Sequence, residues 1–191
     1  MKNISVLLFL LITLALNAQN NKTSGLNARQ FHKYWKVESE SPDYKVTFLG
    51  DTVEILSPKG LTLWRKEKMS GKVTIEYDAC VVVEVEGDRL SDLNCFWMAS
   101  DPQYPDNIWK REKWRSGIFL NCYSLQLYYM GYGGNHNSTT RFRRYDGNEA
   151  AITNAKARPA ILKEYTDADH LLEANKWYHI KITNENNRVS Y

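Results

Sequence analysis

Apolar and polar residues alternate over much of the chain, and the alternation predicts strands. In "SGKVTIEYDACVVVEVEG" the odd positions Val73, Ile75, Tyr77, Ala79, Val81, Val83 and Val85 form an apolar face. Thr74, Glu76, Asp78, Cys80, Glu84 and Glu86 lie opposite. "YKVTFLGDTVEILSP" reads as two short strands around Gly50-Asp51, with Val46, Phe48, Val53 and Ile55 turned inward. "DLNCFWMAS", "GIFLNCYSLQLYYMGY" and "STTRFRRYDG" predict further strands. "NKWYHIKITNENNRVSY" predicts a strand, a turn at Glu185 to Asn187 and the start of a returning strand. Only "DADHLLEA" suggests a helical turn, and "DPQYPDNIWKREKWRSG" is too rich in proline and charge for a regular element. Many antiparallel strands and little helix define an all-β chain folded as an antiparallel β-sandwich. The last strand opens at Asn187 and stops at Tyr191, so the domain is expected to be truncated at its C-terminus.

The first residues break this pattern. Lys2 precedes the apolar run "ISVLLFLLITLAL", which ends at "NAQN" and is too short to span a bilayer. Residues 1–18 read as a signal peptide cleaved before Gln19, residues 19–33 as a flexible lead-in, and residues 34–191 as one domain. The protein is expected to be secreted or periplasmic, with no membrane association after cleavage. Loss of Lys2 lowers the formal charge from +3 to +2, with 24 basic side chains against 22 acidic ones. That balance argues against a nucleic-acid partner. Cys80, Cys95 and Cys122 show no metal-ligand spacing. They are either buried thiols or include one disulfide among three possible pairings.

Three stretches carry a resemblance: "SDLNCFWMASDP", "YYMGYGGNHNSTTRFRRYDG" and "NKWYHIKITNENNRVSY". Together they resemble a family of secreted bacterial domains, catalogued as of unknown function, with the concanavalin A-like (lectin/glucanase) jelly-roll fold. The similarity runs from about Tyr34 to the C-terminus. It implies a carbohydrate-active role, as glycanase, polysaccharide lyase or sugar-binding module. In such folds the strand after the final turn runs on into further strands that this chain lacks.

The candidate site lies in the middle stretch. With period two, Leu125, Leu127 and Tyr129 point to the core, and Gln126, Tyr128 and Tyr132 to the concave face where glycans lie in jelly rolls. Glycines 131, 133 and 134 turn the chain. Asn135 and His136 follow, and Arg141, Arg143 and Tyr145 return on one strand face. Guanidinium groups two apart suit carboxylates, although Glu76, Asp78, Glu84 and Glu86 could be their partners within the sheet instead. The Glu-x-Asp-x-x-Glu strand of jelly-roll glucanases is absent, which weakens a retaining-hydrolase reading. A lyase needs a group to neutralise a uronate, a base and an acid. Arg143, His136 and Tyr128 are the candidate catalytic residues. Gln126, Tyr132, Asn135, Arg141 and Tyr145 are expected to bind substrate, with Trp109, Trp114 and Arg115 of the long loop as a wall. The expected ligand is a polysaccharide or oligosaccharide containing uronic acid. The alternative is a non-catalytic carbohydrate-binding module. No metal or cofactor is expected, and "SDPQYPDN" is only a weak calcium candidate.

Overall fold

The structure, a computed structural model, describes residues 6–11, 28–185 and 188–191, the first of these by backbone and register alone. Its strands are β1 (Val6–Leu11), β2 (Trp35–Ser39), β3 (Lys45–Leu49), β4 (Thr52–Ser57), β5 (Leu61–Arg65), β6 (Val73–Val82), β7 (Leu93–Ser100), β8 (Gln126–Gly133), β9 (Thr139–Asp146), β10 (Ile161–Tyr165), β11 (Trp177–Glu185) and β12 (Arg188–Ser190). A six-stranded sheet has the order β12-β11-β6-β1-β4-β3, and a four-stranded sheet the order β10-β9-β8-β7. β2 and β5 form a separate pair. The ladders are antiparallel, as a β-sandwich requires.

Side chains of both larger sheets meet in one core. Val53 and Ile55 of β4, Tyr77, Ala79 and Val81 of β6, and Ile180 and Ile182 of β11 pack with Leu93, Trp97 and Met130 of the four-stranded sheet. The alternation in β3, β4 and β6 thus marks the inward face as expected. β6, however, ends at Val82, earlier than its pattern suggests. The Asp88 carboxylate accepts from the Glu84 and Val85 N–H groups at 2.8 and 3.0 Å and bends the chain. The Asn175 amide meanwhile satisfies both backbone groups of Val83, at 2.9 and 3.0 Å. Side chains there do the work of a strand partner.

The run 117–132 also departs from expectation. Phe119–Ser124 forms a 3₁₀ turn, and the strand starts only at Gln126. Cys122, Tyr123 and Leu125 are buried in a second core with Leu127, Tyr129, Tyr145 and Ala151, on the outer side of the four-stranded sheet. Apolar residues cover both faces of that sheet, so alternation alone could not say which set faces the partner sheet.

The long loop is held firmly. The buried Asp101 carboxylate accepts two hydrogen bonds from Arg111, both 2.8 Å, and Arg111 also pairs with Glu149. Arg115 is 0% exposed and forks onto the Glu38 carboxylate of β2 at 3.2 and 2.6 Å. Burial is the largest influence on Glu38 and pushes its carboxyl above the usual range, against the pull of Arg115. Removing one member of such a pair leaves a buried charge alone, so this contact fixes the loop to β2.

Candidate functional site

Register assigns the faces of the four-stranded sheet. Tyr129 lies opposite Arg143 of β9 and Phe96 of β7, Gly131 opposite Arg141 and Asn94, and Leu127 opposite Tyr145. Opposed residues share a face. Tyr129 therefore stands with both arginines on the outer face, and the face assignment drawn from sequence is reversed for β8.

Tyr128 and Tyr132 are turned to the core side. Tyr128 stacks between Trp97 and Phe142 at centroid distances of 5.8 and 5.9 Å. Tyr132 packs edge-on against Tyr178 at 5.2 Å and donates to the Leu171 carbonyl at 3.3 Å. Burial, then the Tyr178 hydroxyl and Glu173, push the Tyr132 phenol up to about 12. Gln126 lies at the exposed start of β8, also on the face opposite the arginines, and donates to the Asp146 carbonyl at 3.4 Å. The reason for the reversal is local. Leu125 and Leu127 are buried by the second core, so their apolar character signalled a different layer from the one between the sheets.

The outer face is built around Tyr129. Its ring leans along β8 over Gly131, where an added Cβ would fall 2.0 Å from the hydroxyl oxygen. The glycine is what lets the ring lie flat, and the hydroxyl donates to Asn94 Oδ1 at 3.2 Å. Burial, with help from Asp92 and Tyr123, pushes the phenol well above the ordinary tyrosine range, although Arg143 and Arg141 pull it back in part. The phenol is protonated near neutral pH.

The two arginines are held differently. Arg141 forks onto Glu164 of β10 at 3.2 and 3.3 Å, so its charge is balanced. Arg143 donates to the Pro159 carbonyl, which carries no formal charge. Neither is paired with Glu76 or Asp78, which lie in the other sheet bound to His179 and Lys181. Glu84 and Glu86 fall beyond the end of β6.

Asn135 and His136 stand on an unusual turn. Asn135, His136 and Asn137 take successive positive φ values of 52, 58 and 58°. Left-handed backbone costs a residue bearing a Cβ about 1–2 kcal/mol, so three in a row need support from their surroundings. Asn137 supplies it by exchanging two hydrogen bonds with the backbone of Leu172, both 2.8 Å, while Ser138 Oγ donates to the Asn135 carbonyl at 2.7 Å. Gly133, at φ 66°, is required where Leu172 crosses, since a Cβ there would lie 2.4 Å from its methyl group. His136 is exposed.

One cavity of about 1520 Å³ is lined by Tyr129, Asn135, His136, Arg141 and Arg143. Trp109 and Tyr145 also border it; Tyr145 is 1% exposed and forms its floor. Trp114 and Arg115 are not in the lining. Trp114 is exposed with the Arg111 guanidinium 5.1 Å from its ring, and Arg115 is the buried partner of Glu38. Sequence reasoning missed Asn94, Phe96, Trp64, Tyr129 and Arg158, all of which border the cavity. Counting equal steps back from the glycine turn would have placed Tyr129 opposite Arg143, but nothing local points to Trp64 or Arg158.

Cys80, Cys95 and Cys122 are free thiols, and burial pushes Cys95 and Cys122 up to about 12. Among the described residues no group of three His, Cys, Asp or Glu side chains is placed to hold a metal ion, and Asp101 of "SDPQYPDN" is taken by Arg111. No helix among them is long and apolar enough to cross a membrane.

A family profile described as a domain of unknown function, DUF6250, matches residues 55–191, which takes in β5 to β12 and the whole cavity-bearing sheet. The chain belongs to the DUF6250 family. No curated protein and no solved structure matches it significantly. Membership in DUF6250 assigns no chemistry, so the role of the cavity must be argued from its residues.

Proposed function

We propose that this DUF6250 protein is a secreted, concanavalin A-like jelly roll that binds a uronic-acid polysaccharide along the outer face of the four-stranded sheet and cleaves it by β-elimination. The observation that carries the reading is the direct opposition of Tyr129 and Arg143 on adjacent strands, beside a cavity rimmed by His136. Arg143 faces the substrate carboxylate and spreads the charge that develops there. His136 takes the C5 proton, the C5–H electron pair forms the C4=C5 double bond, and the C4–O bond breaks. Tyr129, protonated near neutral pH, gives its proton to the departing oxygen and recovers one from the imidazolium through solvent. Tyr129 replaces Tyr128 in this scheme because Tyr128 is stacked in the core. Asn135 and Arg141 position the sugar ring, and Phe96 and Trp64, stacked at 5.9 Å, offer an apolar surface for it.

A non-catalytic binding module is the second reading. The engaged state of the Tyr129 hydroxyl and of the Arg141 fork favours it, since both belong to a rigid platform before any ligand arrives. Incubation with uronic-acid polysaccharides, followed by the short-wavelength ultraviolet absorbance of the unsaturated product, should give a rise that Arg143→Ala abolishes. A flat trace with retarded migration in a glycan-containing gel would assign binding alone. A flat trace with unretarded migration across neutral and acidic glycans would overturn both readings.

A further inference from the structure

The wall of the cavity holds a second cation that the elimination scheme leaves unused. Along β9, Arg141, Arg143 and Tyr145 succeed one another on the outer face, running away from the turn that carries His136. The Tyr145 ring packs against Tyr129 at 5.5 Å and against Tyr123 at 4.7 Å, and the Arg158 guanidinium lies over the Tyr123 ring at 5.6 Å. Arg158 therefore stands beyond Tyr145, on the side of Arg143 remote from His136, and borders the same cavity. Local backbone chemistry puts it there. Asn154 Oδ1 accepts from the Lys156 N–H at 3.0 Å and the Ala155 carbonyl from the Arg158 N–H at 3.3 Å, so one 3₁₀ turn delivers Arg158 to the rim. The next residue, Pro159, supplies the carbonyl that Arg143 holds, which ties both arginines to one short segment.

Charge separates these two arginines from the other cations of the cavity. Arg141 is balanced by Glu164, and Lys59, Arg65 and Arg89 by Glu40, Glu67 and Asp92. Arg143 and Arg158 meet no carboxylate among the described residues, and every aspartate and glutamate of the chain lies among those residues. Two uncompensated guanidinium groups on one wall repel each other, and a ligand with two anionic groups relieves that repulsion where a ligand with one relieves half of it. Arg158 is exposed, and a guanidinium lying over a ring keeps its N–H edge free for a bidentate carboxylate. We propose that Arg158 is a specificity-determining residue that receives the carboxylate of the sugar adjoining the one held by Arg143, so that the substrate is a run of consecutive uronates and not a chain of isolated ones. This rests on the glycan reading of the cavity.

The test uses the full chain in gels containing polygalacturonate or alginate, each in its native form and with part of its carboxyl groups reduced to alcohols. Arg158→Gln should weaken retardation by the native polymer about tenfold, as the loss of a charge-assisted contact does. On the reduced form of the same polymer the substitution should cost only about twofold, because the neighbouring carboxylate is then often missing and the two changes are not additive. The urea midpoint should stay at the wild-type value, since Arg158 is exposed and touches only the Tyr123 ring among the described residues. Native retardation unchanged by Arg158→Gln would overturn the proposal. So would an equal loss on native and reduced polymers, which assigns the residue to general attraction or to structure. In both cases the glycan reading stands if Arg143→Ala still weakens retardation. A wild-type protein retarded by neither native polymer would overturn the uronate reading and this proposal with it.

Discussion

At the scale of single residues, the site depends on a contact that chemistry alone would not suggest. Gly131 is needed because the Tyr129 ring occupies the space a side chain would take. Gly131→Ala is expected to force the ring off the sheet, break the Tyr129–Asn94 hydrogen bond and cost about 1–3 kcal/mol of stability through overpacking. A lowered thermal midpoint together with weaker glycan retardation is the expected result; a normal midpoint with normal retardation would show that the ring relaxes at no cost. The residue types of the candidate site were legible in "YYMGYGGNHNSTTRFRRYDG", including His136, Arg141 and Arg143. Which tyrosine stands among them was not, because Tyr128 and Tyr129 are chemically identical neighbours separated only by the side of the strand they occupy.

At the scale of elements, the left-handed turn at Asn135 to Asn137 presents His136 at a conformational cost. His136→Gly removes the Cβ that makes this backbone unfavourable and is expected to raise stability by about 1 kcal/mol, less the extra freedom glycine gives the unfolded chain. The same change should abolish elimination while leaving glycan retardation in place. Chemical denaturation and the absorbance assay check the two halves separately; a destabilised variant would mean that the imidazole itself holds the turn. The strands β3, β4, β6, β7, β8, β9 and β11 followed from alternation, whereas β2, β5 and β10 did not stand out in the pattern. The apolar run expected to be a leader also supplies β1, paired with both β4 and β6, so a chain processed before Gln19 has those two strand edges free of it.

At the scale of the whole molecule, the outer surface of the six-stranded sheet carries a cluster that neither strand encodes alone. His179 of β11 bonds Asp78 at 2.8 Å and Glu76 at 3.1 Å across the ladder to β6. The hydrogen bond to Asp78 first, then that to Glu76, raises the His179 pKa above its ordinary value. The stability this contributes is complete below the unfolded histidine pKa, about 6.5, and is lost as pH rises through the higher folded value. The urea midpoint of the protein should exceed that of His179→Gln at about pH 5.5 and converge with it at about pH 8.5; a gap independent of pH would sink the assignment. The sequence by itself determined the class of fold, the inward faces of β3, β4 and β6, and the residue types gathered around the glycine turn. These follow from side-chain periodicity and local backbone chemistry. Only the tertiary structure decided which face of β8 meets the partner sheet, that Arg115 is buried against Glu38, and that β5 and β7 border one cavity. Each of these depends on elements distant in the chain, and a sheet covered by apolar side chains on both faces carries no local mark of which layer lies on which side.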